Sequence, residues 1–317
     1  MRIKTELHLK FLERLSIFIM SNPYKTREGG ATVTIFAPYD CGNHCPFCIN
    51  KGEYANTEGF SEENIIKSIR IMHEITPYCD FVFTGGEPFA NRESLQRMID
   101  EIPNTHRLFI NTTLPLFDGQ TEQDIIDFAE KNKDKITCIN CSRHLQKYVE
   151  ESPDELLGSL PVNVRVNCVL YQDYPADQLP LYLERWIKYN IPVQFRFDYT
   201  VTTPENLYDQ SNDPILRDLK SFSKYIGLDG CRMRNGFHFD YKGLELTYHR
   251  TLPYSTIVET DENGTTYDIL YDIIIKQNGE IRSDWDESVL DVEAYRNVVF
   301  EPYDLKVIEG DLSNTTF

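Results

Sequence analysis

The sequence is poor in basic residues and has no long apolar run. Its 317 residues include 32 Lys and Arg against 50 Asp and Glu, which gives a formal net charge of −18. Because nucleic acids are bound mainly through clustered cations, this charge argues against a nucleic-acid partner. No stretch approaches the roughly 20 apolar residues that a membrane-spanning helix needs, so no membrane partner is expected.

A secretion signal and a disulfide framework are also missing. The most apolar early segment, Leu15 to Met20, is too short to span a membrane and has no small-residue cleavage site behind it. Five of the eight cysteines are scattered singly, and the other three are Cys41, Cys45 and Cys48. A secreted disulfide framework is shorter, richer in cysteine and more evenly spaced. These features predict a cytoplasmic protein with a metal site at the three close cysteines.

Strand-like runs alternate with helix-like stretches between residues 31 and 199, without an internal repeat or a low-complexity tract. The strand-like runs are rich in β-branched and aromatic residues; they are Ala31–Ala37, Asp80–Thr84, Arg107–Thr112, Lys135–Ser142, Val162–Leu170 and Pro192–Tyr199. Helix-like stretches begin at Ser61, Asn91 and Thr121, which are residues that cap helix N-termini. Two more cover Pro153–Ser159 and Asp177–Tyr189.

This alternation predicts parallel strands joined by right-handed helical crossovers. The six β-α units between residues 31 and 199 are too few for a closed barrel of eight units, which takes about 250 residues. The residues therefore predict an α/β fold, either an open, partial barrel of six units or a doubly wound sheet. In both folds the functional site lies at the carboxyl ends of the strands.

After about residue 200 the pattern changes to segments that favour antiparallel pairing. A helix is predicted near Asp213–Tyr225, and Asn278-Gly279 is a strong hairpin dipeptide. The expected regions are an N-terminal helical segment at 1–30, with its helix near His8–Met20, the α/β unit at 31–200, and a small C-terminal α+β appendage at 201–317.

The three close cysteines lie on the loop after the first predicted strand, at Cys41, Cys45 and Cys48. Three thiols on one loop favour a metal site over a structural core. Zinc would take a fourth ligand, for which His44 is the near candidate. A cubic iron–sulfur cluster would keep one iron without a protein ligand. That iron would be open to a substrate or a cofactor.

The cysteine loop and a second motif together resemble the radical S-adenosylmethionine (SAM) superfamily. The loop has the spacing Cys-x3-Cys-x2-Cys with an aromatic residue, Phe47, before its last cysteine, and the second strand ends in Gly85-Gly86-Glu87-Pro88. The resemblance implies a partial (β/α)6 barrel with two cofactors, a [4Fe–4S] cluster on the three cysteines and SAM on its open iron. In the superfamily, one electron cleaves SAM to methionine and a 5′-deoxyadenosyl radical, which abstracts a hydrogen atom from the substrate.

The resemblance also implies which residues contact SAM. Glu87 would accept a hydrogen bond from the methionine ammonium, and the glycines before it would let the backbone approach the cofactor closely. At the end of the fourth strand, Ser142 and Arg143, with Asn140 behind them, would meet the ribose hydroxyls and the cofactor carboxylate.

Polar and apolar residues alternate along the fifth and sixth strands. The polar set is Arg165 and Asn167 on the fifth strand and Gln194, Arg196 and Asp198 on the sixth. If the apolar set faces the helices, the polar set points into the barrel. Because buried polar groups need partners, Arg165, Asn167 and Arg196 are expected to bind the cofactor or the substrate.

Two residues at the end of the fourth strand are candidates for catalysis. Cys141 is expected at the mouth of the barrel, where a thiol would donate a hydrogen atom. His144 would act as an acid or base on the substrate side.

The C-terminal region resembles the SPASM or twitch extension of peptide-modifying members of the superfamily. Its hairpin carries Ser283 and Asp284 where a cysteine would follow the turn, and Cys231 is the one cysteine beyond residue 200. The resemblance therefore implies an extension that kept its fold without an auxiliary cluster.

These observations favour an enzyme, an oxidoreductase or a transferase, that modifies a peptide by cross-linking or epimerising a side chain. The alternative substrate is a nucleotide, a sugar or another small molecule. An electron donor such as flavodoxin or ferredoxin would be a partner. The alternative from another class is a non-catalytic zinc- or cluster-binding regulator, with Cys41, His44, Cys45 and Cys48 as closed ligands.

Overall fold

The computed structural model describes most of the chain. Its residues are 22–26, 31–37, 41, 43, 45–48, 59–76, 79–148, 151–171, 173–197, 212–229, 236–250, 256–285, 288–300 and 307–309. None of the helices in these ranges combines the length and the hydropathy that a bilayer crossing requires. The helix predicted near His8–Met20 lies outside the described residues.

Six parallel strands follow one another in chain order at the centre of a large sheet. They are β2 (Thr32–Ala37), β3 (Asp80–Gly85), β4 (Arg107–Thr112), β5 (Ile136–Ser142), β6 (Val164–Leu170) and β7 (Val193–Phe197). These are the six predicted strands, with bounds that differ by at most two residues within the described part of the chain. The predicted α/β class and the parallel pairing are therefore confirmed.

Helices connect consecutive strands from β2 to β7. They are α1 (Glu62–Ile75), α2 (Arg92–Asp100), α3 (Glu122–Lys131), α4 (Asp154–Ser159) and α5 (Leu179–Ile187). Local signals set their starts: the Ser61 side chain accepts from the Asn64 amide, and Thr121 and Asp124 form a capping box. Apolar faces such as Ile65, Ile69 and Met72 of α1 are buried in the core.

The two faces of the parallel sheet differ in chemistry. One face carries buried apolar side chains such as Ile35 and Phe83, which belong to the core shared with the helices. The alternate positions carry a polar set: Thr34, Thr84, Asn111, Asn140, Ser142, Arg165, Asn167, Gln194 and Arg196. Parallel sheets are usually apolar on both faces. A polar second face is therefore suited to line a ligand site.

The region after residue 200 contains the expected mixture of helix and strand. Its elements are α6 (Pro214–Phe222), β8 (Lys224–Asp229), β9 (Gly236–Tyr241), β10 (Leu244–His249), β11 (Thr256–Thr260), β12 (Thr266–Leu270), β13 (Asp272–Ile275), β14 (Ile281–Arg282), α7 (Val292–Tyr295), β15 (Val299–Phe300) and β16 (Val307–Glu309).

Strands of this region extend the central sheet, and the division of the chain into three regions stays a prediction. β10 pairs in parallel with β7, and β13 pairs in parallel with β2. The sheet order is thus β14-β13-β2-β3-β4-β5-β6-β7-β10-β9-β8-β16. The physical reason is that β2 and β7 would otherwise expose unpaired backbone groups along an edge. A second, four-stranded sheet has the order β11-β12-β1-β15, in which β1 is Tyr24–Thr26.

The predicted Asn278-Gly279 hairpin is confirmed. It joins β13 to β14, whose registered pairs are Ile274 with Arg282 and Ile275 with Ile281. Gly279 has a φ of +86°, and a Cβ there would lie 2.4 Å from the Cβ of Asn64. Glycine is required at this position because the turn presses directly against α1.

Candidate active site

A cleft of about 510 Å³ lies at the carboxyl ends of the first parallel strands. It is lined by the cysteine loop after β2, by the end of β3, by the end of β4 and by the last residue of β5. The lining residues are Cys41, Asn43, Cys45, Cys48, Thr84, Gly85, Gly86, Glu87, Asn111, Thr112, Thr113 and Ser142. The fold thus brings the two sequence motifs, which are about 40 residues apart in the chain, to one site.

The three thiols of the cysteine loop face this common cleft. Cys41, Cys45 and Cys48 are each partly buried, and the Cys48 amide donates to the Cys45 carbonyl at 3.2 Å. Among the described residues, no three His, Cys, Asp or Glu side chains converge closely enough to hold a single metal ion. A cluster bridges its thiolates through its own irons and sulfides, so it needs no such convergence. The position of His44 lies outside the described residues.

Phe47 anchors the cysteine loop on the side away from the cleft. Its buried ring lies 4.7 Å from the ring of His144, 5.5 Å from that of Tyr148 and 5.6 Å from that of Tyr171, measured between centroids. These tilted and edge contacts add to the apolar burial. Phe47 therefore holds the loop against the segment that follows β5.

The glycine-rich end of β3 presents backbone to the cleft. Gly85 has a φ of +115°, a conformation that residues with a Cβ rarely adopt. Gly86 follows on the cleft wall. Pro88 is buried behind them, at the start of a short 3-10 helix. The arrangement leaves room for a ligand to approach the main chain at Gly85 and Gly86.

Glu87 is buried, and protein donors occupy both of its carboxylate oxygens. Oε1 accepts from the Phe89 amide at 3.1 Å and from the Thr112 hydroxyl, and Oε2 accepts from the Thr113 amide at 2.8 Å and hydroxyl at 2.9 Å. Burial raises the pKa of the Glu87 carboxyl above its ordinary value, against the opposing effect of these donors. A carboxylate has about four lone-pair positions. Glu87 thus binds the ends of β3 and β4 together while it lines the cleft, and its bond from the SAM ammonium stays a prediction.

A short chain of hydrogen bonds links Glu87 to the cysteine loop. Asn43 Nδ2 donates to Thr113 Oγ1 at 3.2 Å, and that hydroxyl donates to Glu87 Oε2. The sequence analysis missed Asn43 and the polar end of β4, Asn111 to Thr113. A signal was available, because three polar residues end a strand there just as they do at the end of β5.

The structure separates the three residues predicted at the end of β5. Ser142 lines the cleft. Asn140 lies one step behind it, where its Nδ2 donates to Asn111 Oδ1 at 2.8 Å. Arg143 is fully buried and is not on the cleft wall.

In this structure the Arg143 side chain binds protein atoms, and its contact with the SAM carboxylate stays a prediction. Its guanidinium donates to the carbonyl oxygens of Thr113 at 2.7 Å, Ser142 at 3.0 Å and Ser152 at 3.2 Å, and to the Ser152 hydroxyl at 3.0 Å. The cause is strand alternation: Ser142 faces the cleft, so Arg143 faces the helices. It ties together the backbone that supports the cleft.

Neither candidate for catalysis is among the residues that line the cleft, and both catalytic roles stay predictions. Cys141 is fully buried on the helix-facing side of β5, where burial raises the pKa of its thiol to about 12. His144 is buried, and its Nδ1 accepts from the Val169 amide at 3.2 Å. Burial and the charge of Arg143 lower the pKa of His144 to about 4. The neutral ring packs against Phe47 and supports the cysteine loop.

The polar face continues beyond the cleft through two arginines. Arg165 Nε donates to Asn140 Oδ1 at 3.1 Å, and Arg165 is partly buried. Burial and the nearby charge of Arg165 lower the pKa of Arg196 to about 10. Burial raises the pKa of Asp272 on β13 to about 6, although a hydrogen bond from Trp285 and the charge of Arg196 oppose this rise. The arginines of β6 and β7 thus share one electrostatic environment with Asp272.

Asp272 is expected to make stability depend on pH. Its pKa is about 6 in the folded chain and about 3.9 in an unfolded chain. A raised folded pKa means that its contribution is fully present below about pH 4 and is lost as the pH rises through 6. Asp272→Asn should therefore reduce the fall in unfolding free energy between pH 4 and pH 7 by about 2 to 3 kcal/mol.

Denaturant unfolding at both pH values measures this difference. Asp134→Asn, in an exposed turn, is the matched control and should keep the pH dependence of the wild type. Identical pH dependence in Asp272→Asn and the wild type would show that this carboxyl does not titrate in that range.

A protein-family model matches the first part of the chain. Residues 28–157 match the family described as a 4Fe-4S single cluster domain. The match covers less than half of the chain, and it contains the three cysteines and the Gly85–Pro88 segment. No curated protein matches the sequence.

Several solved structures are similar to this chain. The anSMEcpe structure with bound AdoMet and the Cp18Cys peptide is 17% identical, covers 55% of this chain and 51% of that chain, and has a TM-score of 0.37. SuiB of Streptococcus suis is 16% identical. The match covers 88% of this chain and 70% of the SuiB chain, with a TM-score of 0.47. SuiB bound to its precursor peptide SuiA is 14% identical. The match covers 82% of this chain and 59% of the SuiB chain, with a TM-score of 0.48. The chain spans about half the length of the anSMEcpe chain.

Residues 28–157 are similar to a 4Fe-4S single cluster domain, and the three cysteines of this part of the chain line the cleft. The cysteine spacing, Phe47 and the Gly85–Pro88 segment, which all lie within the matched residues, resemble the radical SAM superfamily, whose cofactors are a [4Fe–4S] cluster and SAM. The residues present fit both groups: three thiols for the cluster, and bare glycine backbone and polar strand ends for SAM.

Proposed function

We propose that this chain cleaves SAM reductively at a [4Fe–4S] cluster and abstracts a hydrogen atom from a substrate with the resulting 5′-deoxyadenosyl radical. The observation that carries the proposal is the meeting of Cys41, Cys45 and Cys48 with Gly85 and Gly86 in one cleft. The cluster supplies the electron and SAM supplies the radical. The protein binds both and positions the substrate.

Different residues of the cleft bind the cluster and SAM. The three thiolates hold the cluster and leave one iron for SAM. The backbone at Gly85 and Gly86 meets the methionine end of SAM, and the hydroxyl of Ser142 meets a ribose hydroxyl. Asn43 and Thr113, held in turn by Glu87, keep the cysteine loop at the strand ends.

The wider architecture fits the same function. We propose that β2 to β7 curve into a partial (β/α)6 barrel with their polar face inward. The substrate is a peptide, because the hairpin of β13 and β14 resembles a SPASM or twitch hairpin; a nucleotide, a sugar or another small molecule is the alternative. The enzyme is an oxidoreductase or a transferase, and flavodoxin or ferredoxin supplies its electron.

The direct test is cleavage of SAM by the chain. The protein is purified without oxygen and its cluster is reconstituted, and dithionite and SAM are added. Chromatography should then detect 5′-deoxyadenosine and methionine in equal amounts. A closed zinc site, or an intact cluster that never cleaves SAM, would refute the proposal and favour the non-catalytic regulator.

Ser142 is expected to contribute one hydrogen bond to SAM. Its replacement by alanine removes the hydroxyl from the cleft wall without disturbing the buried face of β5. Loss of one hydrogen bond of about 0.5–1.5 kcal/mol should raise the dissociation constant of SAM by roughly 3- to 10-fold. Titration calorimetry with the reconstituted protein measures this change.

Ser159→Ala is the matched control for Ser142→Ala. Ser159 is exposed at the end of α4, and its hydroxyl donates to the Leu156 carbonyl within the helix. This variant should bind SAM like the wild type. Unchanged SAM affinity in Ser142→Ala would remove Ser142 from the binding site.

A further inference from the structure

A row of polar side chains leads from the cleft wall across the sheet. Ser142 on β5 is registered with Asn167 on β6, Asn167 with Gln194 on β7, and Gln194 with Thr247 on β10. Registered neighbours in parallel strands point to the same side of the sheet. With about 4.8 Å between strands, this polar row extends about 14 Å from Ser142 to Thr247.

Three members of the polar row are buried with unpaired atoms. Asn167, Gln194 and Thr247 are 9%, 2% and 7% exposed. Within the part of the chain that the structure describes, Asn167 Oδ1, Gln194 Oε1 and Thr247 Oγ1 have no hydrogen-bond partner. Buried polar atoms are nearly always paired. Three unpaired atoms on adjacent strands are what a site built to bind a polar ligand presents before the ligand arrives.

Positive charge accompanies the polar row. Arg196 lies two residues beyond Gln194 on the same face of β7, and its buried Nε has no hydrogen-bond partner among the described residues. Arg165 lies two residues before Asn167 on β6, and its charge acts on Arg196. Among the described acids, Asp272 is the one whose charge acts on Arg196. The charge of Glu245 acts on Arg165, whose Nε also donates to Asn140 Oδ1. Arg196 is therefore the cation of this face that is better placed to bind an anion, although the whole chain has a net charge of −18.

The geometry of a guanidinium selects among anions. Arginine binds carboxylates through paired N–H donors, and it does so more strongly than through neutral acceptors. Primary amides and a hydroxyl, as in Gln194 and Thr247, both donate and accept hydrogen bonds. They therefore match the amide groups of an amino-acid derivative.

We propose that Asn167, Gln194, Thr247 and Arg196 form a substrate subsite that holds a carboxylate on Arg196 and an adjoining amide on Gln194 and Thr247. The ligand class is a carboxylate-bearing amide, the chemistry of an acidic residue within a peptide. That this ligand is the substrate rests on the proposed radical SAM function. The binding itself requires neither reductant nor turnover.

The test is equilibrium binding of N-acetyl-L-glutamate, which carries one amide and two carboxylates. Titration calorimetry uses the reconstituted protein without reductant. The wild type should bind this probe, Arg196→Gln should lower the affinity at least tenfold, and the exposed-site control Arg217→Gln should match the wild type. Saturating SAM should leave the affinity for the probe unchanged.

Several outcomes would overturn the assignment. Displacement of the probe by SAM would place these residues in the cofactor site. Equal binding of the neutral N-acetylglycinamide, or tighter binding of inorganic phosphate, would refute a carboxylate site. Failure to form 5′-deoxyadenosine would refute the proposed function and leave this binding result intact, so the two failures are distinguishable.

A second measurement needs no probe. Gln194→Met and Thr247→Val keep side-chain size and remove the unpaired atoms. In the protein without ligand, each variant should raise the melting temperature by about 2–4 °C. Gln123→Met, on the exposed side of α3, is the control and should cause no such rise. A fall in melting temperature for both subsite variants would show that the amide and the hydroxyl stabilise the fold and are not reserved for a ligand.

Discussion

Cys45→Ala is expected to leave the chain folded and without its [4Fe–4S] cluster. Cys45 lies on the cleft wall between Cys41 and Cys48, and two thiolates do not replace the three that hold a cluster with one open iron. The wild type after reconstitution should contain about four irons and four sulfides per chain. The variant should lose most of this iron and the visible absorption that the cluster causes. It should also form no 5′-deoxyadenosine.

The matched control is Cys79→Ala. Cys79 is buried just before β3, at the end of the strand opposite the cleft, where its amide donates to His106 Nδ1 at 3.4 Å. Its loss should lower stability slightly and leave the iron and sulfide content unchanged. A full cluster in Cys45→Ala, or equal loss of iron in both variants, would contradict the assignment of the ligands.

Glu87→Ala is expected to lower the unfolding free energy by about 3–5 kcal/mol. The substitution removes the acceptor for the buried amides of Phe89 and Thr113 and for the hydroxyls of Thr112 and Thr113. An unsatisfied buried donor costs about 1–3 kcal/mol, and the hydroxyls recover part of this by rotating. Urea unfolding at neutral pH measures the loss.

The same variant should also bind the cluster less tightly. Thr113 accepts from Asn43 in the cysteine loop and donates to Glu87, so loss of the carboxylate frees that tether. Iron retention during dialysis against a chelator should fall in Glu87→Ala. Glu87→Gln, which keeps an acceptor oxygen, should show an intermediate loss in both measurements.

Glu93→Ala is the control for Glu87→Ala. Glu93 is exposed in the first turn of α2, so its replacement should change the unfolding free energy by less than about 0.5 kcal/mol. If Glu87→Ala were as stable as this control, the four hydrogen bonds would not be holding the strand ends together. If it lost stability and kept its iron, the tether to the cysteine loop would be unimportant.

The alternation along β5 shows what the sequence alone predicts. Asn140 and Ser142 share the polar face, as the sequence predicts. Cys141 and Arg143 lie between and after them, so strict alternation sends both to the helix-facing side. The period of two is visible in the sequence and by itself separates Cys141 and Arg143 from Asn140 and Ser142.

The hydrogen-bond partners of Glu87 could not be predicted from the sequence. Its place in a glycine-rich motif indicates proximity to the cofactor, and the cleft does include it. Its four hydrogen bonds come from β4 and from the turn that follows Glu87 itself. Residues 25 positions away satisfy the carboxylate, and no local pattern announces them.

The sequence by itself determined the local features of this protein. The strand and helix bounds, the caps at Ser61 and Thr121, the turn at Asn278-Gly279 and the spacing of the cysteines follow from interactions within a few residues. Only the tertiary structure decided that β10 and β13 complete the sheet beside β7 and β2, and that Gln194 and Thr247 become registered, buried and unpaired. The physical reason is that the pairing of distant strands depends on which edges and faces remain uncovered after the local elements form.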